Sequence, residues 1–177
     1  MKVNDFVYVD DEFKLRWKSR GVEFFKTERS SKIWNSRFAN KECGYIRDDG
    51  YLSFEFNGRA YRNHRVIWEI VTGNEIDDNM EIDHIDHNTT NNNIENLRLV
   101  DRKENCKNQS MMPHNSSGFT GVHWWSARNK WRARIECDGR VKTKTFEDFN
   151  DAVEWRKEMN INLGFHKNHG DKKNEIL

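Results

Sequence analysis

One stretch constrains this chain more than any other: residues 81–108, which read EIDHIDHNTTNNNIENLRLVDRKENCKN. An alternating apolar run places a carboxylate, Asp83, beside an imidazole, His84, at the end of a predicted strand. The Asn- and Thr-rich segment that follows favours a loop, because these side chains hydrogen-bond to nearby backbone. Residues 97–100 predict a second strand, and an Asp-x-x-Glu pattern predicts the capped start of a helix at Asp101. The predicted order is strand, loop, strand, helix.

These residue types suit phosphodiester hydrolysis, which needs a hard cation beside the phosphate and a base that activates water. Asp83 and Asn105, the latter in the first turns of the predicted helix, offer two oxygen ligands of the kind that Mg²⁺ prefers. His84 is the side chain there whose ordinary pKa allows it to accept a proton near neutrality. On these residues alone a structural turn is the competing interpretation, since Asp-His beside an Asn-rich loop is common.

The spacing adds a resemblance. Asp83 and His84, then Asn96 and Asn105 in an N-L-R context before a capped helix, resemble the HNH nuclease motif, and most closely the HNH homing-type endonucleases of phages and introns. The resemblance implies a ββα-metal fold with Asp83 and Asn105 as ligands of Mg²⁺ or Mn²⁺. It also implies His84 as general base and Asn96 as the residue that ties the loop and so orients His84. His87 stands where this family varies, and a solvated loop histidine is favoured there over a role at the metal or leaving group.

Composition bounds the rest of the prediction. The chain has 177 residues, a length that suits one ordinary domain or two small ones, and its net charge is +1. No apolar run approaches membrane-spanning length and no signal-peptide core begins the sequence, so we expect no membrane partner. Cys43, Cys106 and Cys137 are far apart and lack a C-x-x-C pair, which disfavours a disulfide framework or a structural zinc site. The expected compartment is the reducing cytoplasm of a cell that hosts a phage or mobile element.

A second module is predicted over 118–165. Three alternating segments, GVHWW, WRARIECDG and RVKTKTF, predict antiparallel strands, and a helix over about 150–163 covers their apolar face. The remaining Arg- and Lys-rich face suits DNA, with solubility of a half-exposed sheet as the alternative. The stretch from SSGFTG to EWRK resembles the Apetala-two/ethylene-response-factor type DNA-binding domain. The resemblance implies contacts to DNA from His123, Trp125, Arg128, Lys130, Arg132, Arg134, Lys142 and Lys144.

The predicted fold class is therefore α+β: a ββα-metal nuclease domain followed by a small three-stranded antiparallel sheet with one helix. The predicted divisions are an N-terminal extension (1–43), the nuclease domain (44–110), a linker (111–117), the sheet domain (118–165) and a flexible tail (166–177).

The predicted function is metal-dependent hydrolysis of double-stranded DNA, with the C-terminal domain choosing the sequence. A single site per chain predicts a nick, and a double-strand break would need a homodimer or a second encounter with the DNA. Two alternatives stay open: a DNA-binding regulator with a vestigial nuclease site, and a structure-specific nuclease.

Overall fold

The structure is a computed structural model that describes residues 2–172. They form two compact units of mixed α and β structure, with several small antiparallel sheets. The first unit contains residues 2–84 and 88–99, and the second contains 85–87 and 100–172. Among the described residues, no helix has both the length and the apolar character needed to cross a bilayer.

The first unit begins with two small sheets and two helices. Their bounds are β1 Val7–Val9, β2 Leu15–Trp17, α1 Glu28–Phe38, β3 Tyr45–Ile46, β4 Leu52–Phe56, β5 Arg59–Arg62 and α2 Asn63–Thr72. Strands β1 and β2 pair with each other, and β4 lies between β3 and β5. The turn from β4 to β5 is Asn57-Gly58, with φ of 50° and 74°, as a two-residue hairpin turn requires.

One apolar core runs through this part of the unit. Phe6 and Leu15 from the N-terminal segment are buried together with Phe54 from β4 and Ile67 from α2. The sequence predicted residues 1–43 as an extension separate from the nuclease domain. The described part of that segment instead shares its core with the following hairpin and helix, because apolar side chains on short strands are buried only against other elements.

The stretch singled out in the sequence follows. Strand β6 (Met80–His84) pairs with β7 (Leu97–Asp101), and α3 (Arg102–Cys106) begins directly after β7. The helix start is capped as predicted, because the Asp101 carboxylate accepts a hydrogen bond from the Glu104 backbone N–H at 2.8 Å. The predicted succession of strand, loop, strand and helix is present.

The second unit is built on a sheet with β9 at its centre. The elements are β8 Val122–Trp125, β9 Lys130–Cys137, β10 Arg140–Phe146 and α4 Phe149–Asn162. Val122, Ala133 and Ala152 are buried where α4 packs on one face of the sheet. The predicted arrangement of three strands and one helix is therefore present.

Residues 166–172, which the sequence predicted as the start of a flexible tail, form turns with defined partners. The backbone N–H of His166 donates to the Lys107 carbonyl at 3.0 Å, and that of Gly170 donates to the Gln109 carbonyl at 2.8 Å. The Asn168 amide donates to the Ile85 carbonyl at 2.8 Å. Because all these bonds join residues distant in sequence, local composition carried no sign of them. The rest of the predicted tail, 173–177, lies outside the described residues.

Candidate active site

The end of β6 carries two adjacent buried polar side chains, Asp83 and His84, which are 8% and 4% exposed. Adjacent strand residues point to opposite faces, so the two side chains have different surroundings. Burial of a carboxylate and an imidazole is costly unless each has a hydrogen-bond partner. The structure supplies a partner for each from the loop and strand that follow.

Arg98, on β7, is the partner of Asp83. Its Nε and Nη2 atoms both donate to Asp83 Oδ2, at 2.9 and 2.7 Å. Charge-assisted bonds of this kind are about twice as strong as neutral ones, and they fix the orientation of the carboxylate. Arg98 therefore holds Asp83 in position at the end of the strand.

Asn92, in the loop between β6 and β7, is the partner of His84. The ring Nε2 and the Asn92 Oδ1 atom lie 3.0 Å apart, and Asn92 is itself 6% exposed. A carbonyl oxygen can only accept, so His84 donates from Nε2–H, and in the neutral ring the lone pair lies on Nδ1. This bond sets both the orientation and the tautomer of His84, so that Nδ1 is the atom able to accept a proton.

Two further rings pack against His84 in the same unit. The His64 ring centroid lies 5.1 Å from that of His84 in an edge-on arrangement, and the Tyr51 centroid lies 5.7 Å away. Burial, reinforced by the charges of His84 and nearby arginines, lowers the pKa of His64 to about 3. His64 is therefore neutral at physiological pH, and its uncharged ring packs against the ring of His84.

The Asn-rich loop is held by its own side chains. The Asn96 amide donates to the Asn91 carbonyl at 2.8 Å, next to the residue that bonds His84. Asn93 caps a short 3₁₀ turn (Ile94–Asn96) by accepting from the Glu95 backbone N–H at 3.0 Å. The contact of Asn96 agrees with a role in tying the loop, and its effect on His84 remains a prediction.

The second unit contains the residues of the motif that follow Leu99. Asn105 lies on α3, whose start Asp101 caps. His87 is 9% exposed, has a left-handed φ of 64°, and lies with its Nε2 atom 3.0 Å from Asn108 Oδ1. The sequence favoured a solvated loop histidine at position 87, whereas the structure buries it against an asparagine that follows α3.

Within the described residues, no group of three or more His, Cys, Asp and Glu side chains is arranged to hold a metal ion. The donors that the motif itself supplies are the Asp83 carboxylate and the Asn105 amide oxygen. Both are hard oxygen donors, which suit Mg²⁺ or Mn²⁺ with water and phosphate oxygens completing the coordination. The donor chemistry therefore fits the predicted ion.

Comparison with known proteins agrees with the motif. The family model for HNH endonucleases matches residues 61–107. Protein 3.8 of Escherichia phage T7 is 35% identical over 97 residues, which cover 55% of this chain and 79% of the phage protein. Residues 61–107 are an HNH endonuclease domain.

A second viral relative of this HNH protein is the "Uncharacterized HNH endonuclease L560" of Acanthamoeba polyphaga mimivirus. It is 29% identical over 137 residues, which cover 77% of this chain and 68% of the mimivirus protein. No solved structure gives a significant match. The family match runs from the end of β5 through α2, β6 and β7 to α3, and it ends before the three-stranded sheet of the second unit.

Sequence reasoning about the HNH site missed Asn92, Arg98, Tyr51 and His64 as neighbours of Asp83 and His84. Arg98 belongs to the N-L-R pattern, but nothing local indicates that it binds Asp83. Asn92 is one of several similar residues in the loop, and the other two are remote in sequence. Only folding identifies these partners, because the contacts depend on how β6 and β7 pair and on how α2 packs.

The residues of the HNH protein predicted to contact DNA divide between the two faces of the second sheet. Residues directly opposite each other on antiparallel strands point to the same face of the sheet, and successive residues of β9 point to alternate faces. Arg132 is paired with His123 and lies on the face opposite to buried Ala133. The same open face carries His123, Trp125, Lys130, Arg132 and Arg134. Arg128, in the 3₁₀ turn Ser126–Arg128 after β8, has its guanidinium 5.1 Å from the Trp125 ring centroid, and that of Arg132 lies at 5.2 Å.

Lys142 and Lys144 do not share that face. Lys142 is paired with Ile135 and Lys144 with Ala133, both of which are buried on the side covered by α4. The Lys144 ammonium accordingly lies 5.1 Å from the ring centroid of Phe146. The sequence predicted one basic face that included both lysines; the cross-strand register instead sends them to the helix side of the sheet.

Proposed function

We propose that this HNH protein is a metal-dependent DNA endonuclease that hydrolyses phosphodiester bonds in double-stranded DNA. The observation that carries the proposal is the bond between His84 and Asn92 beside Asp83, within the segment that matches the family. A histidine fixed in one tautomer beside an oriented carboxylate is the arrangement that water activation next to a bound cation requires.

Each side chain has a distinct part in this proposal. His84 takes a proton from the attacking water at Nδ1, while Asn92 keeps the ring oriented through Nε2. Arg98 keeps the Asp83 carboxylate in place. Asp83 and Asn105 would hold Mg²⁺ or Mn²⁺, which when bound neutralises charge on the scissile phosphate and stabilises the departing oxygen.

The second sheet is proposed to bind the DNA and to choose where it is cut. The open face combines Arg132 and Arg134 with the aromatic ring of Trp125, a combination that suits phosphate contact and insertion of a strand face into a groove. Plant domains of the Apetala-two/ethylene-response-factor type often have an arginine where this chain has Thr120. The base preference of those plant domains is therefore not assigned to this chain. One motif per chain leads us to propose a nick, with a double-strand break requiring a homodimer or a second cleavage event.

The deciding experiment is conversion of supercoiled plasmid by the full-length protein with Mg²⁺, with EDTA, and with the variant His84→Ala. We expect open circles that require both the ion and His84. The variant His114→Ala serves as a matched control, because His114 is exposed and lies outside the site.

The other outcomes separate the alternatives. Linear product would indicate a dimer or paired sites. Tight plasmid binding without conversion, on phage genomic DNA as well as plasmid, would favour a regulator with a vestigial nuclease site. Cleavage that follows DNA structure rather than sequence, with binding that falls steeply with salt, would favour a structure-specific nuclease. Activity equal in His84→Ala would refute the assignment of the general base.

A further inference from the structure

The second unit contains a cavity whose lining residues are not among those assigned to cleavage. It has a volume of about 690 Å³ and is bordered by residues of α3, of β9, of α4 and of the segment that follows α4. Cavities of this volume are in the range that holds small-molecule ligands. Its charged lining consists of four cations and two carboxylates: Lys103, Lys107, Arg134, Arg156, Glu136 and Asp138.

Arg156, on α4, is the unusual member of this lining because it is only 3% exposed. Its Nε atom donates to the Arg134 carbonyl at 3.1 Å. Its Nη2 atom lies 3.5 Å from His169 Nε2, and its guanidinium carbon lies 5.4 Å from the Phe165 ring centroid. Within residues 2–172, Arg156 forms no ion pair and its Nη1 atom has no hydrogen-bond partner.

His169 does not neutralise this charge. Burial, together with the charges of Arg156 and His87, lowers the pKa of His169 to about 4, so the ring is neutral and accepts from the guanidinium. Burial also lowers the pKa of Arg156 to about 10, which still leaves it protonated at neutral pH. A buried cation with neutral partners is a costly arrangement, and an anion in the adjoining cavity would offset it.

The backbone is shaped around this arginine. Gly121 has a φ of 80°, and a Cβ atom there would lie 2.6 Å from both Arg156 Nε and the Arg134 carbonyl oxygen. Any larger residue at this position would displace the guanidinium from the sheet. The position of Arg156 is therefore a built feature of the unit.

The rest of the lining indicates which anion would bind. Glu136 already pairs with Arg134 at 2.7 Å. Lys107 is partly exposed and 3.4 Å from Glu104, and Lys103 is exposed, so both ammonium groups can turn towards a ligand. Phe165 adds an aromatic ring on which a base could lie. A guanidinium with two ammonium groups matches a phosphate better than a single carboxylate, because a phosphate presents several strong acceptor oxygens.

We propose that this cavity binds a phosphate ester, either from the backbone of bound DNA or from a free nucleotide. The inference does not depend on the proposed cleavage, because none of the lining residues is assigned to the reaction; its DNA source rests on the proposed DNA binding, to which Arg134 is assigned. Binding of the anion would complete the charge balance of Arg156 and hold the segment after α4 against the residues that follow α3.

The test is titration of the full-length protein with thymidine 3′,5′-bisphosphate, measured by calorimetry at constant ionic strength set with NaCl. We expect saturable binding to one site per chain. The double variant Lys103→Gln/Lys107→Gln should weaken it roughly tenfold, since it removes two charged contacts from an open cavity. The double variant Lys142→Gln/Lys144→Gln removes the same charge outside the cavity, and it should leave affinity within about twofold.

Arg156→Met tests the buried cation itself. We expect no measurable binding to this variant, provided that its circular dichroism matches that of the wild type. If Arg156→Met does not fold, the comparison between the Lys103/Lys107 and Lys142/Lys144 double variants tests the proposal by itself. Absence of saturable binding to the wild-type protein, or equal weakening in the two lysine pairs, would overturn the proposal.

Duplex DNA distinguishes the two sources of phosphate. If the ester belongs to DNA, the bisphosphate should compete with a labelled 20-base-pair duplex, and the Lys103/Lys107 pair should weaken duplex binding. If the ester is a free nucleotide, duplex affinity should be unchanged in that variant, while bisphosphate binding should still be weakened roughly tenfold.

Discussion

The division of basic residues between the two faces of the second sheet gives a sharp prediction about DNA binding. The variant Arg132→Gln/Arg134→Gln removes two charges from the open face, and Lys142→Gln/Lys144→Gln removes two from the side covered by α4. The two variants have the same net charge. A difference in DNA affinity between the two variants therefore identifies the face of the sheet that contacts DNA, because a general effect of net charge would be equal in both.

The expected magnitude follows from the surroundings of each side chain. Removing one phosphate-binding cation should make the negative slope of log K against log salt shallower by about 0.9. The arginine double variant should therefore make it shallower by about 1.8. Arg134 is already paired with Glu136 at 2.7 Å, which reduces what its removal costs. Arg132 has no such pair among the described residues and lies over Trp125, so its contribution should dominate. At about 0.15 M salt we expect the arginine pair of substitutions to lower affinity roughly tenfold.

The assay is fluorescence anisotropy with a labelled duplex, repeated between 50 and 200 mM NaCl (roughly the range over which phosphate binding changes affinity most). The lysine pair should change affinity less than about threefold, with little change in slope. Equal weakening in the two variants, or a larger effect of the lysine pair, would show that the open face is not the recognition surface.

Three further predictions concern the active site and its supports. Asn92→Ala should lower the cleavage rate roughly 10- to 100-fold by releasing His84, with DNA affinity unchanged, whereas Asn92→Asp keeps an acceptor and should retain more activity. Asn168→Ala should cost about 1 kcal/mol of unfolding free energy, measured by urea denaturation, because it removes the bond to the Ile85 carbonyl. The folded-state pKa of His64, about 3, lies below its ordinary value of 6.5, so the unfolded chain binds more protons between these values. Stability should therefore fall as pH drops from 6.5 towards 3, and His64→Phe should show a smaller drop in melting temperature.

Local signals in the sequence determined most of the elements. Asp138-Gly139 has φ of 51° and 71° and joins β9 to β10 with Cys137 opposite Arg140, as a two-residue hairpin turn requires. Asp101 caps α3 as its side chain and spacing predicted. Such features are readable because each depends on residues within a few positions. The motif of Asp83 and His84 was equally readable, because its members lie on one short stretch.

Tertiary structure decided the partners. Arg98 binds Asp83 across a strand pair, and Asn92 reaches His84 across a loop, so both contacts depend on how distant segments meet. The register of β9 and β10 separated Lys144 from Arg132, which alternation within a single strand does not reveal. The sequence thus determines which side chains have reactive or ligand-binding groups. Long-range packing determines which of them come into contact, because a contact between residues distant in sequence forms only when the segments between them have folded.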